Sequence, residues 1–145
     1  MIITEVSKES QCPTSSSWIK KVVKAVAVHE KKVKGNLEVI IVSDFTMRRL
    51  NKKYRHKDKT TDVLSFAWQE DKKVASDLLG QIYLSWAQIK RQARDYRVSA
   101  REELARMLVH GVLHLIGYDH IKAKDEEVML IRQEKYVEKI IKKHC

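Results

Sequence analysis

His110-Gly111-Val112-Leu113-His114-Leu115-Ile116-Gly117-Tyr118-Asp119-His120 holds three of the six histidines in the chain. His110 and His114 are four residues apart, so on a helix both imidazoles stand on one face, one turn above the other. Gly117 admits the positive φ that a helix stop needs and that a Cβ resists. The chain then turns at Tyr118-Asp119 and delivers His120 as a third nitrogen. A histidine pair at helical spacing is, by itself, more often a polar pair on a half-buried face than a ligand set. A third histidine directly after a glycine stop changes that balance, because three imidazoles with one open position form the usual shape of a catalytic Zn2+ site. A helix that holds ligands rigidly should be central and buried.

What the stretch lacks also restricts it. The spacing His-x-x-x-His-x-x-Gly-x-x-His is that of the metzincin proteases, which carry Glu immediately after the first histidine as general base. Here that position is Gly111. The substitution disfavours peptidase or amidase chemistry and leaves the metal geometry possible.

Outward from the histidines, Ser99-Ala100-Arg101-Glu102 fits a capping box that starts the helix. Leu104, Met107, Leu108, Val112 and Leu115 then mark its core face. Downstream, Lys124 to Lys142 reads as a final helix with Val128, Ile131, Val137, Ile140 and Ile141 as apolar positions. Upstream, strands are expected at Ile2–Val6, Leu37–Val42, Asp62–Phe66 and Leu78–Leu84. Helices are expected from Trp18 to about Val33 with a cap among Ser15 to Ser17, from Ser43 or Asp44 to Asn51, and after Ser85. Residues 69–77 read as an exposed loop or hairpin tip. This pattern predicts one compact α/β (α+β) domain over residues 1–145, with a small mixed sheet of about four strands packed with helices.

The composition agrees. A chain of 145 residues supports one core, and a formal charge of +10 biases it toward polyanions. No apolar run approaches the length of a membrane helix, and the first nine residues do not read as a signal peptide, so the cytoplasm is the expected location. Cys12 and Cys145 stand alone near opposite ends and are expected as free thiols.

A second dense stretch runs from Leu50 to Phe66. Tyr54 to Thr61 reads as a polar loop, and Lys52, Lys53, Arg55, Lys57 and Lys59 crowd cations around it. On composition alone this is a solvated basic loop. Beside a zinc site it would hold phosphate: Arg55 can grip two phosphoryl oxygens, Lys53, Lys57 and Lys59 can meet the backbone of RNA, and Tyr54 can stack on an unpaired base. Asp119, next to His120, is a candidate for orienting a ligand imidazole from behind, or a turn residue.

The histidine stretch, together with Leu-Asn-x-x-Tyr-Arg at 50–55 and Thr-Asp-Val-Leu-Ser-Phe at 61–66, resembles the YbeY family of bacterial endoribonucleases. The likeness covers residues from about 37 to 120. Two positions depart from the family pattern: Ala67 replaces a usual proline after Ser-Phe, and Gln81 stands where an aspartate is common, which removes a possible carboxylate. The resemblance implies a zinc-dependent, single-strand-specific endoribonuclease with one Zn2+ on His110, His114 and His120, and with Arg55 and His114 needed for catalysis. It further implies work on ribosomal RNA and the ribosome, in maturation of the 3′ end of small-subunit rRNA and in ribosome quality control. The competing readings are a metal-dependent hydrolase of another class and a non-enzymatic, basic ribosome-assembly factor with a structural zinc.

Overall fold

The computed structural model describes residues 1–67, 78–118 and 123–144. Its elements are β1 (Ile2–Lys8), α1 (Ser16–Ala27), β2 (Gly35–Val42), α2 (Asp44–Arg55), β3 (Val63–Ala67), β4 (Leu78–Ser85), α3 (Trp86–Tyr96), α4 (Ala100–Leu115) and α5 (Ala123–His144). The four strands form one mixed sheet in the order β1-β2-β4-β3. β1, β2 and β4 run parallel, and β3 pairs antiparallel with β4 at the edge. Parallel neighbours need a crossover, and α1 supplies the one between β1 and β2. The α/β (α+β) architecture expected from the sequence is the one observed.

Four helices begin the same way. Ser15, Ser43, Ser85 and Ser99 each turn a side-chain oxygen onto the backbone N–H three residues on, at 3.1, 3.2, 3.3 and 3.0 Å. Each hydroxyl satisfies a donor that the helix itself leaves unpaired. The box at Ser99 is only half closed, because the Glu102 carboxylate turns to Arg106 instead, at 3.1 Å.

The alternation of each strand divides its side chains between two layers. Leu37, Val39 and Ile41 of β2 join Ile82 and Leu84 of β4 beneath α1, α4 and α5 in the main core. Val42 and Leu64 pack on the opposite face with Met47 of α2, flanked by Leu50, Phe66 and Tyr83. α4 is the central helix: Leu104, Ala105, Leu108, Val109, Val112 and Leu113 are fully buried. Cys12 is buried and free. Among the described residues no helix is long and apolar enough to cross a membrane.

Three expectations are corrected. α1 stops at Ala27, well short of Val33. The chain must turn there to reach Gly35, whose N–H bonds Met1 O at 3.0 Å to open the sheet. α2 continues through Tyr54 and Arg55, residues expected in a loop, because lysine and arginine are good helix formers and His56 closes the helix in a left-handed conformation (φ 59°). On α5, Val137 and Ile140 are buried as expected, but Val128 and Ile131 are exposed, and Met129, Gln133 and Tyr136 complete the buried stripe. The loop expected at 69–77 lies outside the described residues.

Gly80 fixes how closely β4 and β3 approach the end of α4. A Cβ there would stand 2.5 Å from the Phe66 carbonyl oxygen and 2.7 Å from Leu115 Cδ2. Gly80→Ala is expected to lower stability by about 1–3 kcal/mol through overpacking. Urea denaturation measures it, and an unchanged midpoint would mean that the contact yields without cost.

Candidate active site

α4 ends where its last buried residues meet the open edge of the sheet. The rings of His110 and His114 lie edge to face with centroids 4.8 Å apart. Both line a cleft of about 510 Å3 with Arg55, residues Val63 to Ala67 of β3, Leu115 and Gly117. The cleft therefore follows the edge strand, with the helical histidines on one side and the end of α2 on the other. Gly117 has φ +107°. Its N–H bonds His114 O and that of Tyr118 bonds Leu113 O, each at 3.1 Å, so the helix is closed directly after its second histidine turn.

Gly111 explains the missing base. A Cβ at this position would lie 3.0 Å from Ser65 Oγ and 3.2 Å from two carbons of Ile82. The position after His110 thus faces β3 and β4, and a glutamate there would be driven into the sheet. Ser65 Oγ also donates to the Gly111 carbonyl, at 3.4 Å.

Arg55 is fixed by the strand it leans on. Its Nη2 donates to Ser65 O at 3.0 Å, and its guanidinium carbon is 4.9 Å from the Phe66 ring centroid. Stacking and hydrogen bonding together order a side chain that would otherwise lose rotamer entropy on binding a ligand. Tyr54 meets Phe66 edge to face, with centroids 5.2 Å apart, and Lys53 Nζ sits 5.1 Å from the Tyr54 ring centroid. Lys57 and Lys59 are exposed. The structure brings Arg55, His110 and His114 into one cleft, while Lys53, Tyr54, Lys57 and Lys59 lie outside its lining. Asp119 and His120 lie outside the described residues. Gln81 points to the sheet face opposite Ile82, where its Nε2 donates to Glu38 at 2.8 Å.

Two buried amides were not singled out from the sequence. Asn51, 3% exposed, donates to Lys59 O at 2.9 Å and accepts the Lys57 N–H on its own carbonyl at 3.3 Å, which shapes the basic loop. Gln133, equally buried, places Oε1 2.7 Å from His110 Nδ1. A polar residue inside the 129/133/136/140 stripe was the signal that could have found it.

Behind Gln133 stands a charged cluster. Gln133 Nε2 donates to Glu134 Oε2 at 3.2 Å, and Arg106 pairs with Glu134 at 3.0 Å, Glu103 at 2.8 Å and Glu102 at 3.1 Å. Gln92 completes Glu103, at 3.0 Å. Burial works against the Arg106 cation, but its three carboxylate partners outweigh that and raise its pKa. Burial likewise disfavours the Glu134 anion, and the hydrogen bonds from Arg106 and Gln133 together with the Arg106 charge overcome it and lower the pKa.

Two outcomes follow from the cluster. Arg106→Met leaves the Glu103 carboxylate buried without a cation, and should cost about 3 kcal/mol in urea denaturation. A loss under about 1 kcal/mol would contradict the pairing. Because the Glu134 pKa is depressed on folding, its contribution is complete above the ordinary glutamate range and is lost as pH falls through the folded value. Stability measured against pH should therefore fall on acidification, with a shallower slope in Arg106→Met.

The family described as Endoribonuclease YbeY matches residues 2–141. The endoribonuclease YbeY of Malacoplasma penetrans is 39% identical over 81% of this chain and 79% of its own length. That of Aquifex aeolicus is 46% identical over 70% of this chain and 67% of its own. A solution structure from Thermotoga maritima superposes with a TM-score of 0.66 at 28% identity, covering 95% of this chain and 89% of that one. With its histidine helix, its arginine at the edge strand and a match along nearly its whole length, the chain belongs to the endoribonuclease YbeY family.

Proposed function

We propose that the chain, as one catalytic domain over residues 1–145, is a zinc-dependent, single-strand-specific endoribonuclease of the cytoplasm. Its RNA would be ribosomal, and its work the maturation of the 3′ end of small-subunit rRNA and the quality control of ribosomes. Hydrolysis of RNA accords with the family. The observation that carries the reading is the shared cleft of His110, His114 and Arg55.

The donor set suits zinc. Two imidazoles one turn apart open into the same cleft, and Gly117 ends the helix three residues before His120 in the sequence. His110, His114 and His120 would hold the ion, with Asp119 behind His120. When bound, Zn2+ supplies Lewis acidity toward a phosphoryl oxygen and lowers the pKa of water.

The protein contributes position and charge. Arg55, already ordered by Ser65 O and Phe66, would present its guanidinium to the charge that builds on the phosphoryl oxygens during transfer. Tyr54 offers a ring to an unpaired base, and Lys53, Lys57 and Lys59 extend the cationic track beyond the cleft. Either water or the ribose 2′-OH attacks phosphorus as the bond to the leaving ribose oxygen breaks, and a 2′-deoxy linkage at the scissile position separates the two routes: cleavage of it would exclude attack by the 2′-OH. Gly111 against the sheet leaves no glutamate base for peptidase chemistry.

The test is cleavage of a single-stranded ribosomal RNA fragment by the zinc-loaded protein. Wild type is expected to cut, His114→Ala to be inactive, and Arg55→Ala to lose about 10²–10³ in kcat, as for loss of one charge-stabilising donor. Equal cleavage by all three would reject the reading and leave a zinc-stabilised RNA-binding factor. Lys57→Ala and Lys59→Ala should each weaken RNA binding and reduce its salt dependence by about one unit of slope. An unchanged slope would remove the basic loop from the interface.

A further inference from the structure

We propose that Gln133 is a positioning residue that places the proton of His110 on Nδ1 and so presents Nε2 as the ligand atom, before any metal arrives. The inference rests on the zinc reading only for its purpose, because the hydrogen bonds that support it belong to the protein alone.

The Gln133 amide can lie only one way round. Its oxygen only accepts and its NH2 only donates. Oε1 is 2.7 Å from His110 Nδ1, and Nε2 is 3.2 Å from Glu134 Oε2. Glu134 is held as a carboxylate by Arg106 and therefore only accepts. The reversed amide would set its carbonyl oxygen against that carboxylate, acceptor to acceptor, at a residue 3% exposed. The NH2 must face Glu134, so the carbonyl must face His110, and Nδ1 must carry the hydrogen.

The chain Arg106–Glu134–Gln133–His110 thus passes a fixed polarity from the Arg106 ion cluster, through a buried amide, to one imidazole. Neutral histidine in water prefers the opposite tautomer, with its proton on Nε2. A metal site built on that tautomer would have to move a proton before binding. An acceptor behind the ring removes this step, fixes the ring's rotation and strengthens the ligand. α5 acquires a purpose here that its apolar positions alone do not explain: it carries Gln133 and Glu134 to the back of the histidine helix.

The first measurement is a long-range 15N–1H correlation spectrum of the metal-free protein, at mildly alkaline pH where imidazole is neutral. Wild-type His110 is expected as the Nδ1–H tautomer, and Gln133→Leu should return it mostly to Nε2–H. In competition with a chromophoric chelator, Gln133→Leu should bind Zn2+ about 10- to 100-fold more weakly, the usual effect of removing a partner behind a ligand histidine. The double variant Gln133→Glu with Glu134→Gln exchanges carboxylate and amide, keeps an acceptor on His110 Nδ1, and should restore both the tautomer and the affinity. An Nε2–H tautomer in wild type, or Gln133→Leu with unchanged tautomer and affinity, would overturn the proposal. If Gln133→Leu does not fold, the wild-type spectrum and the double variant still decide. A wild type with the expected tautomer but no zinc affinity would reject the metal centre and leave the proton assignment standing.

Discussion

The close approach of α4 to β3 and β4 governs the rest of the molecule. At Gly111 the helix comes so near that an added Cβ would meet Ser65 and Ile82, and at Gly80 the sheet comes nearer still to Leu115. Two glycines permit a contact that larger residues would hold apart. The consequence is chemical as well as structural. With one side of α4 pressed on the sheet and others covered by α1, α3 and α5, His110 and His114 emerge into the cleft at the edge strand. The same strand anchors Arg55 through the Ser65 carbonyl, so one backbone registers the cation against the imidazoles.

A second constraint is electrostatic. α4 buries Glu103 almost completely, and a buried carboxylate persists only with strong partners. Arg106 and Gln92 supply them, and Arg106 then has two further arms for Glu102 and Glu134. An arrangement that solves a burial problem on α4 therefore also orders the polar residues of α5 behind His110. Apolar packing alone would hold the helices together, but it would not fix which nitrogen of an imidazole carries a proton.

Much of this was legible in the sequence where the signal was local. Serine caps depend on residues three apart, and Gly117 on a single backbone dihedral, so both were readable. The histidine pair was readable because helical periodicity places i and i+4 together. The errors arose where distant contacts decide. Val33 continued the apparent stripe of α1 yet is buried after the chain has turned, and Val128 and Ile131 have core-like identity on the exposed side of α5. Gln133 broke the true stripe of that helix, since its polarity answers to His110, 23 residues away. Tyr54 and Arg55 read as a loop in the sequence, because a run of cations hides a helix whose end is set by the left-handed His56.

The central claim is that one metal ion sits between the α4 histidines and Arg55. Anomalous diffraction at the zinc edge from a crystal of the zinc-loaded protein tests it most directly. The account predicts a single strong peak about 2.0–2.1 Å from Nε2 of His110, and equally close to imidazole nitrogens of His114 and His120, with an open position toward Arg55. A peak elsewhere, a fourth protein side chain closing the coordination, or no peak at these histidines would contradict it.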